Sequence, residues 1–227
     1  MSAEELTAVI LSLKVALVAT LFSLPVAIAL AFVLARKRFW GTPILSAIIH
    51  LPLILPPVVT GYLLLLTFGK KGFVGSFLWE WFGFTFAFKW TGAAIAAGLM
   101  ALPLFVQTIR VVMEAADSRL EGAAATLGAS PWRRFFTITL PLAFPGILAG
   151  ALICYVKALG EFGATITFVS NIPGETQTLA LAIYSFLQTP NGDAAAFRLI
   201  TFSIVLAFAA LLAADYVNRA LQKRLKG

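Results

Sequence analysis

Three ionisable residues lie within or beside strongly apolar stretches of the chain: Lys14, Lys157 and Glu161. If such a stretch crosses a membrane, a charged side chain in it is a candidate for contact with an anion or another ion. A lysine near the end of a span can instead extend its ammonium group to the membrane surface. Lys157 and Glu161 stand four residues apart and would pair if the helix continues. We favour extension and pairing over anion binding.

Other reactive groups are sparse in this sequence. His50 is the single histidine and Cys154 the single cysteine, so one chain builds no multi-histidine metal site, histidine-pair relay or intrachain disulfide. No segment fits the nucleotide-binding pattern G-x-x-x-x-G-K-[ST], and no nucleophile with its base is visible. We expect no enzyme activity, no metal and no cofactor, a local hydrogen bond for His50, and a buried apolar role for Cys154.

The composition places this chain in a membrane. It is 60% hydrophobic and 12% charged, whereas soluble domains are nearer half apolar and a quarter charged. The net charge of +7 comes from basic residues that lie mostly at the ends of apolar runs, a pattern that argues against nucleic-acid binding. The acidic start Met1–Glu5 does not fit a signal peptide, so we expect the first apolar segment to stay uncleaved.

Five stretches reach the length of about 20 apolar residues that crosses a bilayer. They are Leu6–Ala35, Ile44–Phe68, Thr91–Met113, Leu140–Leu159 and Phe197–Tyr216. The first is longer than the bilayer is thick and must tilt or project. Several spans contain proline, which predicts kinks. We therefore predict an all-α integral membrane protein in which residues 1–227 form a single transmembrane domain.

A less regular stretch separates the fourth and fifth spans. It consists of Phe162–Ile172, then Pro173-Gly174-Glu175, then Leu179–Leu187. This stretch could form a re-entrant segment, a pair of short helices, a sixth crossing or a loop outside the membrane. Irregular backbone at membrane depth persists only beside protein or a watery cavity, so the stretch is a candidate for the lining of a pathway.

The distribution of basic residues predicts the orientation, because short loops rich in Lys and Arg stay in the cytoplasm. On one side of the spans lie Arg36, Lys37, Arg38, Arg110, Arg119, Arg133, Arg134, Arg219, Lys223, Arg224 and Lys226. The opposite loops hold mainly Lys70, Lys71 and Lys89, together with Trp79, Trp81 and Trp90, which suit an interfacial aromatic belt. The N-terminus is therefore expected outside and the C-terminus in the cytoplasm.

The polar insertion Ser118–Pro141 then lies on the cytoplasmic face, and its residues predict a helix, a turn and a second helix. Ser118 and Glu121 have the spacing of a capping box. Gly128 is placed to end the first helix in the left-handed conformation. Ser130-Pro131 fits an N-cap followed by proline at the first helical position. A first helix of about two turns is too short to persist alone and needs a surface to pack on.

The tip of this insertion combines small residues with a few large apolar ones. The small residues are Ala123, Ala124, Ala125, Gly128 and Ala129, and the apolar anchors are Leu127, Trp132 and Phe135. Such a tip could enter a groove of a partner protein, where anchors of this kind often dominate binding. It could equally be a helical hairpin that packs on its own bundle. The physics of the residues leaves both interpretations open.

The spacing within the insertion resembles that of a known family. Gly122-Ala123-Ala124, three residues, Gly128, nine residues and Ile138-x-Leu140-Pro141 resemble the cytoplasmic loop of binding-protein-dependent ABC importer permeases. The resemblance implies a type I importer bundle of five or six spans whose hairpin, residues 118–136, enters a cleft of an ATPase subunit. The implied contacts are Gly122, Ala123, Ala124, Leu127, Gly128, Ala129, Ser130 and Trp132. The family's glutamate corresponds to Gly122 here, and we attribute Glu121, one residue earlier, to capping.

A narrower resemblance covers nearly the whole chain. Gly160–Thr176, Leu51–Val59 and Gly61-Tyr62 are similar to molybdate importer permeases, and sulfate permeases share parts of this pattern. The resemblance implies a homodimer in the inner membrane, two ATPase subunits and an extracytoplasmic molybdate-binding protein. Tungstate or sulfate is the alternative substrate, and an ATP-independent channel is the alternative class.

An oxyanion dianion that must be released again is best served by neutral donors rather than strong fixed charge. The hydroxyl and amide groups of Thr165, Thr167, Ser170 and Asn171 are the expected donors along the pathway. The alternative is that these groups only cap helices or bond within the bundle.

Overall fold

The computed structural model describes the backbone of residues 2–37 and 39–226, and their side chains except those of residues 214, 215 and 217–226. Arg38 and the side chains of Arg219, Lys223, Arg224 and Lys226 lie outside the described residues. The regular structure described is helical. The helices are α1 (Ala3–Arg36), α2 (Thr42–Ile54), α3 (Pro57–Phe68), α4 (Phe73–Phe82), α5 (Trp90–Ala115), α6 (Ser118–Thr126), α7 (Pro131–Arg134), α8 (Leu140–Leu159), α9 (Gly163–Val169), α10 (Leu179–Leu187) and α11 (Asp193–Lys226), with a π-helical turn at Phe135–Thr139.

Four helical stretches are long and apolar enough to cross a membrane. They are α1, α5, the continuous helix Pro131–Leu159, and Asp193–Ala213 within α11. The remaining predicted span, Ile44–Phe68, is not one helix, because α2 and α3 meet at an angle of 111°. Pro56 and Pro57 explain this break, since each lacks a backbone donor and each disfavours helix in the residue before it. The chain is an all-α, multi-pass membrane protein.

The irregular stretch after α8 forms a pair of short helices, which confirms one of the predicted alternatives. Helices α9 and α10 contain 7 and 9 residues, too few to cross about 30 Å of hydrocarbon at about 1.5 Å per residue. Helix α9 packs on α3 and α5, and Ala164 and Phe168 are fully buried there. This stretch is therefore built into the bundle.

Helix α5 lies at the centre of the bundle, between α1 and α8. Small residues let these helices approach closely. A side-chain carbon at Gly150 of α8 would stand 2.7 Å from the ring of Phe105, and one at Gly146 would stand 2.7 Å from the side chain of Val112. The central contact thus depends on two glycines one helical turn apart.

Side-chain contacts show which helix ends lie together. At one end of the bundle, Arg36 at the C-terminal end of α1 contacts Glu121 of α6. At the other end, Glu5 near the start of α1 pairs with Arg198 of α11, and Lys14 of α1 lies 3.6 Å from the ring centroid of Trp90. The polar hairpin therefore projects from the end opposite the start of α1.

Candidate functional site

The hairpin begins one residue earlier than the sequence predicts. Asp117 is the N-cap of α6, and its carboxylate accepts a hydrogen bond from the backbone N–H of Arg119 at 2.8 Å. The predicted capping box of Ser118 and Glu121 is wrong. An aspartate side chain caps as well as a serine, and the Glu121 carboxylate instead contacts Arg36.

The turn of the hairpin is built as predicted. Gly128 has φ +81°. Its backbone N–H donates to the carbonyl of Ala125, and the backbone N–H of Ala129 donates to the carbonyl of Ala124. These two bonds close a Schellman motif, which favours glycine because its central residue is left-handed. Ser130 then caps the next helix by accepting a hydrogen bond from the N–H of Arg133 at 3.3 Å.

The second arm of the hairpin continues without interruption into the bundle. A π-helical turn, Phe135–Thr139, joins α7 to α8, and the N–H of Leu140 bonds to the carbonyl of Phe135. Pro141 follows at the start of α8, where it offers no backbone donor. The turn holds one more residue than an α-helical turn, and such insertions occur often at functional sites.

The exposed surface of the hairpin contains large apolar side chains. Leu127 and Trp132 are 88% and 74% exposed, and Trp132 stacks on Phe136 with ring centroids 6.2 Å apart. The prediction that Phe135 is a third anchor for a partner is wrong, because its ring packs edge-on against Phe32 of α1 at 5.0 Å. The exposed large apolar side chains of the hairpin are Leu120, Leu127, Trp132 and Phe136.

The small residues keep the hairpin slim where it projects. Gly122, Ala123, Gly128 and Ser130 are exposed, and Ala124 and Ala129 are half-buried. A side-chain carbon placed on Gly122 or Gly128 would meet no other atom within 4 Å. All eight residues expected to contact an ATPase thus lie on one projecting helix–turn–helix segment.

A polar junction that the sequence did not reveal holds the hairpin to the bundle. Glu121 Oε1 accepts hydrogen bonds from Arg36 Nε and from Thr139 Oγ1, each at 3.0 Å. Arg36 Nη2 also donates to the carbonyl of Ala116 at 3.2 Å. The one signal in the sequence was the presence of opposite charges at the end of α1 and in the insertion.

The four expected pathway residues lie on or just after α9, but their polar groups do not all converge. The hydroxyl of Thr165 donates to the carbonyl of Phe162, just before α9, and that of Thr167 to the carbonyl of Gly163 within α9. Ser170 is exposed and has φ +64°. The amide of Asn171 donates to Ser185 Oγ at 2.6 Å, and its buried oxygen has no protein partner.

The charged residues of the apolar segments make local contacts. Lys157 Nζ lies 3.4 Å from Glu161 Oε2, so the predicted pairing is confirmed. Glu161 is 3% exposed and also accepts a hydrogen bond from the N–H of Ala164 at 3.0 Å, which caps α9. His50 Nδ1 lies 2.7 Å from the carbonyl of Ser46, which is the predicted local bond.

The pair formed by Glu5 and Arg198 was not predicted. Glu5 is 1% exposed and contacts the guanidinium of Arg198 through both carboxylate oxygens. Within the described residues, no group of three or more His, Cys, Asp or Glu side chains is arranged to hold a metal ion.

Comparison with known proteins agrees with this architecture. Residues 23–223 match a family model described as "Binding-protein-dependent transport system inner membrane component". The molybdenum transport system permease protein ModB of Haemophilus influenzae is 53% identical over 97% of this chain and 96% of its own length. ModB of Escherichia coli strain K12 is 54% identical with the same coverage.

A solved structure shows the same fold at low sequence identity. It is a bacterial alginate ABC transporter in complex with a periplasmic protein that holds an alginate pentasaccharide. The likeness has a TM-score of 0.76 at 20% identity and covers 98% of this chain and 81% of that one. Together with the matched family model and the two permease relatives, this likeness shows that the chain belongs to the family of binding-protein-dependent transport system inner membrane components and has the fold of ABC importer permeases.

Proposed function

We propose that this chain is the membrane-spanning subunit of an ATP-driven importer of molybdate. The observation that carries the proposal is the projecting hairpin, with Leu127 and Trp132 exposed at the end of the bundle where most basic residues lie. The identity of 53–54% to molybdenum transport permeases supports the substrate. The basic residues support a cytoplasmic position for the hairpin, an outside N-terminus and a cytoplasmic C-terminus in an inner membrane.

The hairpin is the proposed docking element for a separate ATPase subunit. Its turn is slim, its first helix has no buried residue, and a helix of this length gains stability by packing on another surface. Gly122, Ala123, Ala124, Leu127, Gly128, Ala129, Ser130 and Trp132 are the proposed contacts. ATP binding would draw two ATPases together and move two hairpins, and the helices would rock between outward and inward exposure.

A second copy of the chain completes the proposed pathway. Exposed apolar side chains on α2 and α3, among them Ile48, Ile54 and Tyr62, leave these helices available for lipid or for a partner copy. Ser170 and Asn171 lie at the end of α9, which packs on α3. We place the neutral donors of the pathway along α9, on Thr165, Thr167, Ser170 and Asn171, and loading by an extracytoplasmic binding protein at the opposite end from the hairpin.

Uptake into vesicles tests this function. The chain would be reconstituted with its ATPase and loaded binding protein, and radioactive molybdate uptake would be followed with ATP, without ATP, and with tungstate or sulfate as competitors. We expect uptake that requires both ATP and the binding protein. Molybdate flux that proceeds equally well without ATP would instead identify a channel, and stronger uptake of sulfate would reassign the substrate.

A further inference from the structure

Helix α6 is held to the bundle by few contacts. None of its nine residues is buried, and its main contacts are with α7 and the π-helical turn that follows it. A helix of this length is marginal in water without tertiary support. Its position relative to the long helices must therefore come from specific side-chain contacts.

The Glu121 carboxylate supplies such a contact with two different elements. Its Oε1 atom accepts from Arg36 Nε at the end of α1 and from Thr139 Oγ1 in the π-helical turn, each at 3.0 Å. The side chains of Arg36 and Glu121 are 13% and 21% exposed, so solvent screens this ion pair less than it would screen a surface pair. Charge-assisted hydrogen bonds of this kind are among the stronger ones in proteins.

The two neighbouring spans need no such contact. Helices α5 and α8 are joined to the hairpin by the backbone itself and move whenever its ends move. Helix α1 lies more than 80 residues earlier in the chain, and its polar contacts with the hairpin region run through Arg36, to Glu121 and to the carbonyl of Ala116. Phe32 of α1 adds an apolar contact with Phe135. This contact does not by itself fix the orientation of the hairpin relative to α1.

We infer that the ion pair of Arg36 and Glu121, supported by Thr139, is the positioning link through which displacement of the hairpin is passed to α1. This inference rests on the proposed function. Without the link, an ATPase that moves the hairpin would still pull α5 and α8, but α1 would follow only through packing. Hydrolysis would then be coupled less tightly to transport.

A matched control exists at the same end of the bundle. Arg110 and Glu114 form an ion pair of 2.7 Å, but both residues belong to α5 and their side chains are 28% and 44% exposed. This pair joins no two elements. Glu114→Gln therefore removes the same charge as Glu121→Gln without cutting a connection between helices.

The first measurement is molybdate taken up per ATP hydrolysed by the reconstituted transporter. We expect this ratio to fall about tenfold or more in Glu121→Gln, the scale of one lost hydrogen bond to a charged group, and to stay at the wild-type value in Glu114→Gln. Thr139→Val, which keeps the ion pair and removes one donor, should give a smaller loss in the same direction. Thr139→Val also tests the inference if Glu121→Gln does not assemble.

The second measurement is a distance between spin labels at the exposed positions Lys37→Cys and Arg119→Cys, in a background with Cys154→Ala. With the link intact, we expect a narrow distribution of distances between the two labels that is unchanged by ATP. In Glu121→Gln we expect a distribution that is broad or that changes with ATP. A wild-type ratio of transport to hydrolysis in Glu121→Gln, or a narrow unchanged distance in that variant, would overturn the inference. If the wild-type chain takes up no molybdate with ATP, the proposed function fails, and the distances still test the link.

Discussion

Replacing Trp132 with alanine is the most direct test of the docking surface. Its ring is 74% exposed and contacts mainly Phe136 within the same hairpin. Loss of the ring should leave the fold of the bundle intact, because the ring is mostly exposed and stacks on Phe136 of the same hairpin. An ATPase groove that receives the hairpin would cover the ring almost completely, so the variant should weaken binding without unfolding the chain.

The size of the effect follows from the exposed area. An indole side chain buries about 150–250 Å² at an interface. With 74% of the residue available for burial and about 25 cal/mol per Å², docking gains about 3–4.5 kcal/mol. Ordering of the side chains on association reduces this gain, and truncation of a central aromatic typically costs about 2–4 kcal/mol. We therefore expect the affinity for the ATPase to fall by about 30-fold to several hundred-fold.

The assay is the equilibrium affinity of the detergent-solubilised permease for its ATPase subunit, together with thermal unfolding of the permease alone. Trp40→Ala is the matched control, because Trp40 is 91% exposed at the same end of the bundle but lies outside the hairpin. We expect the control to bind as wild type does. Wild-type affinity of Trp132→Ala, or an equal loss in Trp40→Ala, would show that the ring is not seated in the ATPase.

Three further substitutions test the fold around this site. Gly150→Leu should lower the stability by about 1–3 kcal/mol, because the new side chain would meet the ring of Phe105 at 2.7 Å; an unchanged thermal midpoint would show that α5 and α8 separate easily. Gly128→Val should weaken ATPase binding, because the residue has φ +81° and a left-handed β-branched residue costs at least about 1–2 kcal/mol. The permease alone should keep its thermal midpoint in this variant, because the exposed hairpin, whose first helix has no buried residue, relieves the strain by rearranging locally. Glu5→Gln should lower the thermal midpoint, because the buried carboxylate that pairs with Arg198 is lost, and a midpoint equal to that of wild type would contradict this.

The features that were predicted correctly depend on short stretches of sequence. Gly128 and Ser130-Pro131 mark the turn and the start of the second arm through backbone preferences that hold in any context. Lys157 and Glu161 form the predicted pair although α8 ends at Leu159, because their spacing of four residues keeps the two side chains close at the helix end. The long spans follow from apolar length alone.

The features that were missed depend on which distant segments meet. Asp117 and Ser118 are both acceptable caps. The Glu121 carboxylate, which would complete a capping box with Ser118, instead contacts Arg36, 85 residues earlier in the chain. Phe135 resembles an exposed anchor in sequence, but Phe32 of α1 covers it. A short stretch of sequence does not predict such pairings, because they form only when the helices pack together.

The extra residue in the π-helical turn sets the direction in which the second arm of the hairpin faces. Each residue rotates an α-helix by about 100°, so removing one residue between Arg134 and Leu140 would rotate Trp132 by roughly a quarter-turn or more about the helix axis while α8 kept its buried side. The extra residue of the π-helical turn thus sets the angle between the side of α8 that packs in the bundle and the side of α7 that carries the exposed Trp132. Permeases with one residue fewer or more in this turn would present the same exposed side chains on a different side of the helix. Their ATPase grooves would have to be oriented differently to receive them.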